Sequence, residues 1–139
     1  MSFLLDTNIV SELRHGDRAN PGLVQWFDDQ EAKSLYLSVV TIGEIRQGIE
    51  QLRPRDRRQA SALDRWLNGL VQFHEDRLLY VDGTVAEEWG RLRAAAGSPV
   101  IDTFLAATAR VHRLTMVTRN VRDFAKLRVK VLNPFATTR

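Results

Sequence analysis

Four acids in this chain stand where a carboxylate could take part in chemistry: Asp6, Glu44, Asp102 and Asp123. Asp102 is the most telling. It shares a helical face with Ala106 and Ala109, and a face of small residues packs closely on whatever it meets. An acid there is costly unless something pairs with it. Carboxylates that converge on one cleft repel each other and raise each other's pKa. A divalent cation resolves that conflict, and an all-oxygen donor set suits Mg²⁺ or Mn²⁺. Such a centre binds phosphate oxygens and activates water for attack on a phosphodiester. The chain has no cysteine, which excludes disulfides, thiolate nucleophiles and thiolate metal sites. Its three histidines (15, 74 and 112) lack any zinc-ligand spacing.

For these acids to meet, the elements around them must form a parallel sheet. Short apolar runs at 2–5, 35–40, 78–81, 115–118 and 129–132 read as strands. Helices are expected between them. One starts at Thr7, one at Asn20-Pro21, one at Thr41 with a stripe at Ile42, Ile45, Ile49 and Leu52, and one covers 56–74. Another ends near Gly97. The next is capped by Ser98 with Pro99 in its first turn, and a short one spans about 121–127. Strands alternating with helices mean βαβ units. The expected fold is therefore α/β, a single domain over residues 1–139, with a central parallel sheet of about five short strands flanked by helices. In an open sheet of this kind the ligand site lies at the carboxyl ends of the strands. Asp6 directly follows the first strand, Glu44 follows the second and Asp123 the fourth. The helix carrying Asp102 leads into the fourth strand and must run antiparallel to it, so it begins at the same edge.

Each acid also admits a purely local role. Asp6-Thr7-Asn8 can cap a helix. Thr41-Ile42-Gly43-Glu44 is a literal capping box, and Asn120 to Asp123 is a weaker version of it. Acids near helix starts are favoured by the helix dipole.

The charge distribution bears on the substrate. Net charge is +3, but residues 110–139 carry +7 and residues 1–109 carry −4. The basic C-terminal quarter is a candidate surface for a polyanion. Arg119 and Arg122 flank Asp123 and are candidate phosphate contacts; the alternative is that they pair with the acids. The run Arg53-Pro54-Arg55-Asp56-Arg57-Arg58 reads as a solvated corner between helices. No uncharged stretch exceeds the ten residues from Ser34 to Gly43, too short to cross a membrane. Asp6 interrupts the apolar start, so no secretory signal is expected and the location is expected to be cytoplasmic.

Five stretches, in order, carry a family resemblance: Leu4-Leu5-Asp6-Thr7-Asn8, residues 38–49 (Ser-Val-Val-Thr-Ile-Gly-Glu-Ile-Arg-Gln-Gly-Ile), residues 101–109 (Ile-Asp-Thr-Phe-Leu-Ala-Ala-Thr-Ala), residues 118–124 (Thr-Arg-Asn-Val-Arg-Asp-Phe) and Asn133-Pro134-Phe135. Together they resemble the PIN-domain nucleases, and within them the VapC-type toxins of bacterial toxin–antitoxin pairs. The start (residues 4–12) and the Asn-Pro-aromatic ending resemble the FitB branch. The resemblance implies that Asp6, Glu44, Asp102 and Asp123 hold Mg²⁺ or Mn²⁺ as the catalytic centre. It implies that Thr7, Asn8, Thr118 and Asn120 support them. It further implies an endoribonuclease that cuts single-stranded regions of tRNA, rRNA or mRNA, leaving 5′-phosphate and 3′-hydroxyl ends. The partners it implies are a VapB-like or FitA-like antitoxin and a second copy of the chain. The loop before Asp102 (94–100) is shorter than the family's usual one.

Two other readings share the acidic rim. One is a PIN fold that cuts DNA or only binds. The other is a non-enzymatic, receiver-like domain that binds Mg²⁺ and accepts a phosphoryl group. The latter would need Asp82 as acceptor and a lysine ending a late strand, and none of Lys33, Lys126 and Lys130 does.

Overall fold

Every side chain of Phe3–Leu5 (β1) is buried, which requires a strand covered on both faces. The computed structural model, which describes residues 1–135, shows how. Phe3 and Leu5 point into one hydrophobic cluster and Leu4 into another. Leu35–Ser38 (β2), Leu78–Leu79 (β3), Thr115–Val117 (β4) and Val131–Leu132 (β5) complete a sheet of order β3-β2-β1-β4-β5. All four pairings are parallel; Leu4 lies opposite Tyr36 on one side and Met116 on the other. Arg139, part of the basic segment, and the rest of 136–139 lie outside the described residues.

Helices cover the two faces separately. Thr7–Leu13 (α1), Pro21–Asp28 (α2), Val39–Leu52 (α3) and Arg57–Phe73 (α4) bury Ile9, Val10, Leu23, Ile45, Ile49 and Leu67 against Phe3, Leu5, Leu35 and Leu37. Gly83–Ala96 (α5), Val100–His112 (α6) and Val121–Ala125 (α7) bury Val85, Leu92, Leu105, Ala106 and Phe124 against Leu4 and Met116. Arg46 and Arg53 of the α3 segment clamp Asp64 of α4, with Arg53 also bonding Glu50. The basic corner is thus partly neutralised by its own helices.

Several expected boundaries move. β2 stops at Ser38, and Val39-Val40 are helical rather than extended. The reason is the Ser38 hydroxyl, fully buried, which accepts the Val40 N–H at 3.0 Å and caps α3. A positioned cap outweighs the β-preference of two valines. Thr41 is consequently inside the first turn, and the capping box read at Thr41–Glu44 does not form. β3 ends at Leu79, leaving Tyr80 and Val81 exposed. Pro99, not Ser98, occupies the cap position of α6; its backbone is extended (φ −54°, ψ 144°), and the Ser98 carbonyl instead accepts from Arg93. Asn120 makes no side-chain cap on α7, so the weaker box there is absent too. β4, β5 and α7 are each a little shorter than expected.

Ser38→Ala should lower stability by about 1 kcal/mol, the usual cost of removing a hydroxyl N-cap. Urea denaturation of the two proteins measures it. A midpoint equal to the parent's would mean that α3 is not started from Ser38.

Candidate active site

The chain leaves β1 towards β2 and β3 on one side, and returns to place β4 and β5 on the other. Connections therefore diverge at the carboxyl ends of β1 and β4, which opens a crevice between them. Asp6 directly follows β1 and Thr118 directly follows β4. They meet across this crevice, where the Thr118 hydroxyl donates to Asp6 Oδ2 at 2.7 Å. Asp6 Oδ1 accepts the Thr7 N–H at 2.7 Å and caps α1. Asp6 is therefore both a cap and a member of the crevice, and the two roles use different oxygens.

Thr118 is fixed in turn, because its hydroxyl accepts the Asn120 N–H at 2.9 Å. From the other side, α1 and α3 are tied by Thr7, whose hydroxyl donates to Glu44 Oε1 at 2.5 Å. A distance that short is typical of a hydroxyl on a carboxylate. The buried Thr41 hydroxyl lies 3.3 Å from Thr7 Oγ1. The sequence alone reads Thr41 as a helix cap; its place beside Thr7 follows from α3 beginning two residues earlier, at Val39. Asn8 accepts the Arg119 N–H at 3.4 Å, linking α1 to the loop after β4.

Asp6 is only 5% exposed. Burial pushes its carboxyl up to about 6, with Asp102 and Glu44 adding to the rise and the bonds from Thr118 and Thr7 opposing it. Asp102, in the first turn of α6, is raised in the same sense by burial, then by Asp123 and Glu44. Asp102 is thus the acid that links the set, facing Asp6 and Glu44 on one side and Asp123 on the other. Among the described residues none of the four forms an ion pair. Nor do any three carboxylates or histidines among them stand close enough, as the side chains lie, to hold a metal ion. Asp6 and Glu44 are held by hydrogen bonds, while Asp102 and Asp123 accept none among the described residues.

The two rim arginines do not pair with the acids. The Arg119 guanidinium lies 4.6 Å over the Phe135 ring. Arg122 is exposed on α7. No pattern in the sequence assigns Phe135 such a part; the Asn133-Pro134 turn brings it there, with Asn133 Oδ1 accepting the Phe135 N–H at 3.0 Å. Asp82, the acceptor a receiver-like domain would need, instead caps α5 beside the edge strand β3, remote from the β1–β4 crevice. Glu12 bonds the Asn20 N–H at 2.9 Å, which accounts for it within the α1–α2 connection.

The PIN domain family model matches residues 3–130. The chain is 35% identical to the plasmid stability protein StbB of Pseudomonas syringae pv. tomato, covering 95% of this chain and 97% of that one. It is 32% identical to toxin FitB of Neisseria gonorrhoeae over the same shares. With the VapC ribonuclease Y4jK of Sinorhizobium fredii it shares 31% identity, over 95% of this chain and 96% of the other. Among solved structures, FitAB bound to a DNA fragment superposes with a TM-score of 0.87 at 29% identity, covering 99% of this chain and 98% of that one. A toxin–antitoxin complex from Klebsiella pneumoniae gives 0.67 at 26% identity, covering 98% and 100%. With its parallel five-stranded sheet, its acid-lined crevice at the switch point and these likenesses along almost its whole length, the chain belongs to the PIN domain family.

Proposed function

We propose that this protein is a divalent-cation-dependent endoribonuclease, the toxin of a toxin–antitoxin pair, acting in the cytoplasm as a homodimer and inhibited by a VapB-like or FitA-like antitoxin. The observation that carries the reading is Asp6. It is a nearly inaccessible carboxyl, raised to about 6, with carboxylates as its charged neighbours and no cation paired with it among the described residues. Folding that places a carboxyl so is unfavourable by itself, and a bound cation would offset the cost. The relatives named as a toxin and a ribonuclease support the same reading.

The residues present fit Mg²⁺ or Mn²⁺, since the donors are all oxygen. Asp6, Glu44, Asp102 and Asp123 would hold the cation. Once bound, it supplies a Lewis acid for the scissile phosphate and acidifies the attacking water. The chain's own residues set the geometry. Thr118 and the Thr7 N–H hold both oxygens of Asp6. The Thr7 hydroxyl holds Glu44. The side chains of Asp102 and Asp123 accept no hydrogen bond among the described residues, which would leave their oxygens open to the cation. Asn8 and Asn120 hold the loop after β4 against α1 through Arg119 and Thr118. Arg119 and Arg122 offset the repulsion between the acidic rim and an incoming RNA backbone. Products would be 5′-phosphate and 3′-hydroxyl ends.

Asp6→Asn and Asp102→Asn should each abolish Mg²⁺-dependent cleavage of bulk RNA, followed by end mapping on gels, while both variants remain folded. Thr7→Val should reduce the rate about 10- to 100-fold, the usual effect of removing a group that orients a ligand. Full activity in either Asn variant would remove these acids from the site.

The metal-free protein should lose stability as pH rises. Asp6 has a folded pKa near 6, above its ordinary 3.8, so the folded state binds the proton more tightly than the unfolded chain. Its contribution is present below about pH 4 and is lost as pH rises through about 6. A shift of that size corresponds to at most about 3 kcal/mol. The melting temperature in chelator, corrected by the Asp6→Asn variant, should fall between about pH 4 and about 6.5. An identical profile in the two proteins would show that Asp6 is not the group responsible.

Adding Mg²⁺ or Mn²⁺ at neutral pH should restore that stability by mass action, about 2.7 kcal/mol at one hundred times Kd. The Asp102→Asn variant should respond weakly. Cleavage that survives exhaustive chelation would overturn the cation assignment.

A further inference from the structure

The basic C-terminal quarter does not act as one surface. Arg119 and Arg122 follow β4 and lie on the acidic rim. Four other cations of that quarter lie at the opposite, amino-terminal edge of the sheet: Arg110 and Arg113 before β4, Arg128 and Lys130 before β5. Together with Glu88 and Arg91 of α5 they line an open cleft of about 510 Å³. Five cations thus face one acid. Glu88 is shared between Arg110 at 2.7 Å and Arg91 at 3.0 Å. Among the described residues Arg113, Arg128 and Lys130 make no ion pair.

Two of these cations sit on costly backbone. Arg113 and Arg128 are the only non-glycine residues with positive φ among the described residues, both at +57°. Arg113 ends α6 in the left-handed conformation that glycine adopts most easily. The chain places arginine at both points, and both side chains line this one cleft. The negative end of the α6 dipole accounts for Arg110 and Arg113. It does not account for Arg91 on α5 or Lys130 in the segment leading into β5.

We infer that this amino-edge cleft is a second phosphate-binding surface, which holds the backbone of an RNA at a distance from the acidic crevice. That the ligand is RNA rests on the ribonuclease reading above; the cleft's preference for a phosphodiester backbone rests on its own charge. Arg110 is eight residues beyond Asp102 on α6, so the cleft lies about 12 Å along the helix axis from the acids. A dinucleotide cut at the crevice extends only one residue to either side of its phosphate and falls short of the cleft, whereas a longer RNA can engage both. The arginine fork suits bidentate phosphate contacts.

The test is RNA affinity against salt in chelator, with bulk tRNA as the probe and no cleavage to interfere. The neutral variant Arg113→Asn/Arg128→Asn/Lys130→Gln keeps residues that tolerate positive φ. Its plot of log affinity against log salt should be flatter than the parent's by about 2, because each phosphate no longer neutralised removes about 0.7 from the slope. The charge-preserving variant Arg113→Lys/Arg128→Lys/Lys130→Arg should keep the parent slope. Cleavage of a dinucleotide in Mg²⁺ should be unchanged in both variants. A parent-like slope in the neutral variant overturns the inference, as does an equal flattening in the charge-preserving one. A flattening seen with duplex DNA but not with tRNA also overturns it. A parent that cleaves RNA while the slope stays unchanged defeats the cleft alone; a changed slope with no cleavage by the parent defeats the ribonuclease reading and leaves the cleft standing.

Discussion

Crowded negative charge at the carboxyl ends of β1 and β4 is the constraint on which the site depends. Asp6 is carried there by the chain itself, one residue past a strand whose three side chains are all buried. Little water can reach it in such a place. Its two oxygens are therefore occupied by local donors, the Thr7 N–H and the Thr118 hydroxyl. Those bonds lower its pKa, yet burial outweighs them and the carboxyl ends near 6. The structure tolerates an unfavourable charge where a neutral side chain would pack at lower cost. That pattern is typical of functional sites.

The supports around Asp6 are hydroxyls rather than cations. Thr7, Thr41 and Thr118 form the contacts that join α1, α3 and the end of β4. A hydroxyl can donate to a carboxylate without cancelling its charge. An arginine in the same place would pair with the acid and cancel its charge. The rim arginines are kept off the acids: Arg119 is drawn onto Phe135. The cations of α3 are consumed by Glu50 and Asp64. The division of the last quarter's cations, Arg119 and Arg122 at the acidic edge and Arg110, Arg113, Arg128 and Lys130 at the other, follows from the parallel topology. Residues that precede β4 and β5 and residues that follow them are close in sequence but must lie at opposite ends of the strands.

Much of this was legible from residue order. Strand and helix alternation follows from apolar period and length, and it sufficed to place Asp6, Glu44, Asp102 and Asp123 on one edge, because a crossover helix has only one direction available to it. The ordered stretches around those acids also sufficed for the family, since each records a local backbone requirement. What the sequence could not decide were matters of competition between local and distant partners. Ser38 and Thr41 are both good caps on paper; only the packing of β2 against β1 and β3 buries the Ser38 hydroxyl at the start of α3 and leaves Thr41 facing Thr7. Ser98 falls outside α6, its carbonyl accepting from Arg93 of α5, and Pro99 takes the cap position. The +7 of the last quarter is plain from composition, but its division between two edges depends on where each turn of chain falls along the sheet. Sequence determines which chemistry is present and along which strand it runs; tertiary structure decides which partner each side chain meets, because those partners lie up to 112 residues apart.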